Sequence, residues 1–383
     1  MAGRPSAGGP TASAPTAIGN NVNLREKIGQ LFMLGVHGTE PSKDLRDLFK
    51  TYHPGGVILF SRNLEDPEQA AHLTNALQKL VPKMPLFVSI DQEGGRVARL
   101  PKGFTVFPGQ DALGQADTAA LAYAFAEVTA KELRAIGVNM DLTPVLDVNT
   151  NPRNPIIGDR AFGHDPEQVE TLGLAVIAGL QDNGVLACGK HFPGHGDTAA
   201  DSHKELPTVS HGIDRLREVE LRPFAHCFAN GLAAVMTAHV RYPALDPEAP
   251  ATLSPAILTD LLRTQLRFKG LVLTDDLEMH AILDHYGVEE AAVRALMAGA
   301  DILLICKDHD RQVAAMDAVY RAVKEGDVTE LQVEHAVLRI LETKDRYLLP
   351  YAPVDPKHAA ERVGTKPHRE VAHAIREAAE AAV

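Results

Sequence analysis

The sequence predicts an α/β fold, a (β/α)8 TIM-type barrel in one domain with extra C-terminal helices. Three observations carry that expectation. Eight short apolar runs rich in β-branched residues recur along the chain, helical patterns fill the intervals between them, and several of those patterns end in Gly just before the next run. Near-continuous hydrophobicity is what a parallel strand buried on both faces requires. Eight strand–helix alternations over about 290 residues fit a barrel, the competing arrangement being an open doubly wound sheet.

The runs fall at 31–35, 56–60, 86–91, 138–145, 185–191, 234–240, 271–275 and 301–306. The stretch 66–80 opens on Asp66, a residue type that caps orphan N–H groups, and carries apolar residues at 3–4 spacing. Stretches 116–136, 165–181, 213–229 and 255–266 behave likewise. Beyond the eighth run, helical patterns over 311–325 and 331–347 lead to a Pro-punctuated segment, 349–356, and an Ala/Glu/Arg helix over 368–383. The expected organisation is a disordered leader (1–21), the barrel (22–348) and a C-terminal extension with a helix (349–383).

With 383 residues and 45% hydrophobic side chains, the chain has ample material for a core, which excludes wholesale disorder. Lys and Arg number 38 against 50 Asp and Glu, a formal charge of −12. That sign excludes nucleic acid or an anionic membrane held by bulk charge. Cys188, Cys227 and Cys306 stand alone in apolar segments, so neither a disulfide framework nor a metal knuckle is expected. The first 21 residues lack an apolar signal core, and no run approaches the roughly 18 residues of a membrane span. A cytoplasmic location and a monomer are expected.

In a barrel, chemistry sits at the C-terminal ends of the strands and in the loops that follow. Strand 3 ends in Asp91-Gln92-Glu93-Gly94-Gly95-Arg96, with Arg99 close behind, so a carboxylate points into the barrel mouth with Arg beside it. The loop after strand 4, stiffened by Pro152 and Pro155, holds Arg153 and Arg160, either of which is a candidate ligand group, the alternative being that both form surface ion pairs. Strand 5 ends in Lys190-His191-Phe192-Pro193-Gly194-His195-Gly196-Asp197-Thr198, followed by Asp201-Ser202-His203. A Lys at the end of an apolar strand is costly without a partner. The two-residue spacing of Asp201 and His203 lets the carboxylate accept the imidazole Nδ1–H, which fixes the tautomer and raises its basicity. Strand 6 ends in Thr237-Ala238-His239, making His239 a further binding candidate, and strand 7 in Thr274-Asp275-Asp276. Adjacent strand residues face opposite ways, so one of Asp275 and Asp276 points into the mouth, and periodicity does not say which.

Two chemistries compete for these groups. The dense His/Asp set of strand 5 suggests metal-dependent hydrolysis, but strand 1 lacks an HxH pair and the strand 5 spacing is not that of a binuclear zinc site. Glycoside hydrolysis needs an acid/base and, for retention, a carboxylate nucleophile, which the strand 5 loop and strand 7 supply. A binding scaffold would not need so many ionisable groups at strand ends.

The motif Lys190-His191-Phe192-Pro193-Gly194-His195-Gly196-Asp197-Thr198 with Asp201-Ser202-His203 resembles that of bacterial β-N-acetylglucosaminidases of glycoside hydrolase family 3, the NagZ type of peptidoglycan recycling. Ile90-Asp91-Gln92-Glu93-Gly94-Gly95-Arg96, Ile157-Gly158-Asp159-Arg160, Met236-Thr237-Ala238-His239 and Thr274-Asp275-Asp276-Leu277 support the resemblance, which runs from about Leu24 to about Tyr347. It implies a (β/α)8 barrel. It implies Asp275 as nucleophile, His203 as acid/base with Asp201 as its dyad partner, and Asp91, Arg99, Arg160, Lys190 and His191 at sugar-binding positions. The implied activity is retaining removal of terminal GlcNAc from muropeptides, with no cofactor and no metal. Phosphorolysis at the same site is the alternative, because a His acid/base does not repel an anionic acceptor as a carboxylate would. The chain has no Trp, and Trp is the common stacking platform for long glycans. A small polar pocket for one terminal sugar, hence exo action, is therefore expected.

Overall fold

The computed structural model describes residues 23–82, 84–202 and 205–382, so the leader lies outside the described residues. All eight predicted runs form parallel strands: β1 (Phe32–Gly35), β2 (Gly56–Leu59), β3 (Phe87–Ile90), β4 (Met140–Asp141), β5 (Leu186–Phe192) and β6 (Ala234–Thr237). After an antiparallel hairpin of β7 (Arg241–Tyr242) and β8 (Asp246–Pro250) come β9 (Leu271–Leu273) and β10 (Leu303–Ile305). The sheet order is β10-β1-β2-β3-β4-β5-β6-β9. A Leu273–Ile302 bridge and a 2.9 Å bond from Thr274 N to the Ile302 carbonyl join the last pair and close the barrel. Every residue of the eight barrel strands is buried, as a sheet lined inside by side chains and covered outside by helices requires.

Strand β4 is shorter than the apolar run predicts. Pro144 has no N–H to give, so the ladder narrows there, although Cys188 N and Lys190 N still donate to the Thr143 and Pro144 carbonyls at 3.0 Å.

The helices are α1 (Leu24–Gln30), α2 (Lys43–Tyr52), α3 (Pro67–Gln78), α4 (Gln110–Ala116), α5 (Ala119–Ala135), α6 (Pro166–Asp182), α7 (Ile213–Glu218), α8 (Leu221–Ala229), α9 (His280–Ala298), α10 (His309–Glu325), α11 (Glu330–Leu348), α12 (Pro356–Arg362) and α13 (Lys366–Ala381). A wider helix over Ala256–Gln265 lies between β8 and β9 and ends with an i→i−5 bond from Leu266 N to the Leu261 carbonyl, 2.8 Å. The helix expected over 116–136 is α5, which begins at Ala119 because Asp117 adopts a left-handed conformation and ends the preceding α4. The stretch 213–229 divides at Val219. Helices α2 and α9 escape sequence reasoning. The first is short, and the second is interrupted by Gly287 at φ 71°. No helix among the described residues is long and apolar enough to cross a membrane.

Lys344 of α11 is fully buried, its Nζ 2.8 Å from Gln30 Oε1 and 5.0 Å from the centre of the Phe87 ring at the start of β3. Burial pulls its pKa down to about 7. A base whose folded pKa lies below its unfolded value, about 10.4, destabilises the fold fully below the folded pKa. That penalty fades as pH rises between the two values. Stability is therefore expected to rise from pH 7 to 10 through this group. Lys344→Met should remove that rise and be neutral to stabilising by about 1–4 kcal/mol at pH 7. Urea melts across the pH range check it; a variant less stable than wild type at pH 7 would contradict it.

Candidate active site

Parallel strands bring all their C-terminal ends to one rim, and a pocket of about 270 Å³ opens there. Larger grooves of about 780 and 620 Å³ lie elsewhere on the surface, the second beside the residues that lead into β6 and β9. In a barrel the strand C-termini carry the chemistry, so the smaller pocket is the candidate.

One wall comes from the loop after β3. Gln92, buried, ties this loop into a knot. Its backbone N–H donates to Asp141 at 3.0 Å, and its side-chain oxygen accepts from Arg99 N at 2.8 Å and Leu100 N at 3.2 Å. Gly94 and Gly95 turn the chain at φ 85° and 58°, and a Cβ on Gly94 would collide with the Pro108 carbonyl, so no other residue fits. The turn sets Asp91, Glu93, Arg96 and Arg99 around the pocket.

The floor is a charge cluster. Lys190 Nζ, at the end of β5, lies 2.7 Å from Asp91 Oδ1 and 2.6 Å from Glu93 Oε1. Arg160 grips Glu93 with two bonds of 2.9 Å. Arg99 approaches Asp91 Oδ2 at 3.6 Å. Burial alone would raise the Glu93 pKa, but the Lys190 and Arg160 charges overturn it and hold the carboxyl far below the usual range. Burial opposes the Lys190 charge, and Asp91 and Glu93 overturn that in turn. Asp141, beneath them, goes the other way. Its burial dominates and keeps the carboxyl protonated well above its ordinary range.

A second carboxylate organises the strand 5 loop. Asp147, fully buried, accepts from His191 Nδ1 at 2.7 Å, from His191 N at 3.1 Å and from His195 N at 2.6 Å. Burial raises its pKa, and the His191 imidazole together with these bonds more than offsets that. His195 is pushed down to about 4 by burial and by His191, so it is neutral at pH 7. Its ring nitrogens meet Thr198 Oγ1 at 2.8 Å and Ser202 Oγ at 3.0 Å. Tyr242 of the β7–β8 hairpin donates to the Gly194 carbonyl and pins the same loop from above. Ser202 thereby lines the pocket beside Asp201, which is half-buried. His203 lies outside the described residues.

The structure separates Asp275 from Asp276. Asp275 lines the pocket, and its Oδ1 accepts from Asp276 N at 2.8 Å. Asp276 turns back into the protein, accepting from Glu278 N at 3.1 Å and Cys306 N at 3.2 Å, and burial raises its pKa to about 6. Of the two loop arginines, Arg160 enters the pocket and Arg153 is exposed. His239, expected to contact sugar, is not among the pocket-lining residues. Its ring is engaged by Thr252 Oγ1 at 2.7 Å and the Asp276 carbonyl at 3.0 Å, which places it as a support for the Asp275–Asp276 segment. Apart from histidine no lining residue is aromatic. Among the described residues no three His, Cys, Asp or Glu side chains are grouped to hold a metal ion.

Glu93 and Asp147 escape sequence reasoning as site residues. The signal available was a carboxylate inside an otherwise apolar or Gly-rich strand end, which reads equally as a turn cap.

A closed barrel whose mouth holds paired carboxylates, cations and a monosaccharide-sized pocket defines a barrel enzyme acting on a small polar substrate. A model of the glycosyl hydrolase family 3 N-terminal domain matches residues 23–343, and the chain belongs to glycoside hydrolase family 3, in its β-hexosaminidase branch. The β-hexosaminidase of Nitrosomonas eutropha is 41% identical over 286 residues, 73% of this chain and 81% of that protein. The structure of a family 3 β-N-acetylglucosaminidase from Paenibacillus sp. FPU-7 superposes with a TM-score of 0.91 at 46% identity, covering 94% of this chain and 69% of that one. NagZ from Neisseria gonorrhoeae in complex with N-trifluoroacetyl-D-glucosamine gives 0.75 at 31% identity, covering 91% and 98%.

Proposed function

We propose that this glycoside hydrolase is a retaining exo-β-N-acetylglucosaminidase that removes terminal GlcNAc from peptidoglycan fragments such as GlcNAc-1,6-anhydroMurNAc-peptides. The observation that carries this reading is Asp275, a strand-end carboxylate lining a small pocket whose floor is the Asp91–Lys190–Glu93–Arg160 cluster. Asp91 accepts from sugar hydroxyls, while Arg99, Arg160, Lys190 and His191 supply donors. Val97, Ile156, Ile157 and Met236 give the pocket an apolar side suited to an acetamido methyl. Asp275 attacks the anomeric carbon as His203, oriented by Asp201, protonates the leaving oxygen. His203 then takes a proton from water, which releases the sugar with net retention. A reference pKa of about 6.5 gives a His the acid form near neutral pH without burial. The protein acts in the cytoplasm as a monomer on a small carbohydrate, without a cofactor and without nucleic-acid or membrane partners.

The test is hydrolysis of p-nitrophenyl N-acetyl-β-glucosaminide and of chitin oligosaccharides. The β-anomer of free GlcNAc should appear first by NMR, only terminal sugars should leave, and EDTA should have no effect. Cleavage inside an oligosaccharide or an α-anomer as first product would refute the reading. GlcNAc-1-phosphate formed on adding phosphate would make the activity a phosphorolysis.

A further inference from the structure

The charged wall of the pocket hangs on the loop 91–109, and much of what holds that loop comes from the far end of the chain. The Gly94–Gly95 turn rests on the distal half of its own loop, where Gly95 N donates to the Phe107 carbonyl at 3.2 Å. That distal half meets Glu132 of α5, a buried carboxylate, which accepts from Thr105 N at 2.9 Å and Thr105 Oγ1 at 2.7 Å. The same carboxylate accepts from Gly364 N at 2.7 Å and His368 Nδ1 at 2.8 Å. Arg376 donates to the Val106 carbonyl, and Gly364 sits so close to Gly103 that a Cβ would strike its carbonyl. Helix α13 buries Ala372, Ile375 and Ala379 and packs on α4 and α5, while α12 packs on α3 and α5. All of these C-terminal groups lie beyond residues 23–343, the span of the family module.

We propose that the C-terminal segment 355–381 braces the loop 91–109 and so sets the affinity of the pocket, with His368 and Glu132 as positioning residues. The proposal rests on the reading of that pocket as the sugar site. A buried carboxylate requires its donors, and here two come from the loop and two from the extension. Loop and extension are therefore held to one point. Undocking α13 leaves Glu132 short of donors and lets Thr105–Phe107 move, and Glu93, Arg96 and Arg99 move with them. A displacement of the order of 1 Å at a binding wall is enough to weaken binding.

The experiment uses full-length His368→Ala, His368→Asn and Ile375→Asp, with His373→Ala as a control on the exposed face of α13. Hydrogen exchange of the 92–107 peptide is read without substrate, and KM and kcat with p-nitrophenyl N-acetyl-β-glucosaminide. His368→Ala should speed loop exchange and raise KM about 3- to 30-fold with kcat within about twofold. His368→Asn, whose amide N–H replaces the Nδ1–H, should restore both, and His373→Ala should change neither. Ile375→Asp, which puts a charge under α13, should exceed His368→Ala; if it does not fold, the His368 pair decides. Unchanged loop exchange in His368→Ala overturns the brace, as does faster exchange with an unaltered KM. A wild type that exchanges as expected but neither binds nor cleaves the glucosaminide would sink the sugar reading and leave the mechanical link standing.

Discussion

Asp275→Ala is expected to lower kcat/KM for p-nitrophenyl N-acetyl-β-glucosaminide by about 10⁴-fold or more, about 5.4 kcal/mol of transition-state stabilisation. The carboxylate is the group that would form the covalent glycosyl bond, and it lines the pocket at the end of a barrel strand. Asp276 does not substitute for it, because its Oδ1 accepts from the backbone of Glu278 and Cys306 and burial raises its pKa to about 6. Fold should survive, since Asp275 is only partly buried at the rim. Added azide discriminates its role from that of His203. In Asp275→Ala a single displacement gives the α-glycosyl azide. In His203→Ala an aryl leaving group departs without protonation and azide then intercepts the glycosyl–enzyme, giving the β-azide. A β-azide from Asp275→Ala, or near-wild-type activity in that variant, would remove Asp275 from the nucleophile's place.

What was legible in the sequence follows from the range of the interactions. The eight strands were readable because burial on both faces writes itself as an unbroken local run such as Val185–Cys188. The shortness of β4 was not, since it depends on one proline meeting one ladder. The strand 5 loop advertised itself through residue types that are costly at a strand end, Lys190 above all. The partner that makes Lys190 affordable, Glu93, lies 2.6 Å away in space and in another loop. Asp147 joins His191 and His195 across 44 and 48 residues of sequence. Asp275 and Asp276 were equivalent by periodicity. They differ because the amides of Glu278 and of Cys306, just beyond β10, both donate to Asp276. His239 looked like a ligand group at a strand end, yet its ring is taken up by Thr252, just past β8 of the hairpin, which no local pattern signals. The docking of α13 on the loop 91–109 reaches further still, 270 residues separating Val106 from Arg376.

Glu93→Ala should be the most destabilising single change in the pocket, by about 3–5 kcal/mol, because it strands the Lys190 ammonium and the Arg160 guanidinium together in a buried site. Asp91 alone then faces Lys190, and Arg160 loses its two-bond grip. Glu93→Gln keeps the shape but not the charge and should cost less while still weakening sugar binding, since Lys190 is then held by Asp91 only. The wild-type carboxyl also leaves a pH signature. Its folded pKa is depressed well below the unfolded value of about 4.3. Its contribution is therefore fully present above the unfolded pKa and is lost as pH falls below about 4 toward the folded one. The stability gap between wild type and Glu93→Gln, measured by guanidinium melts, should accordingly be constant from pH 7 to about 5 and narrow on further acidification. A gap that widened below pH 4 would mean that Glu93 is protonated in the folded protein and that the Lys190–Arg160 cluster is neutralised by other groups.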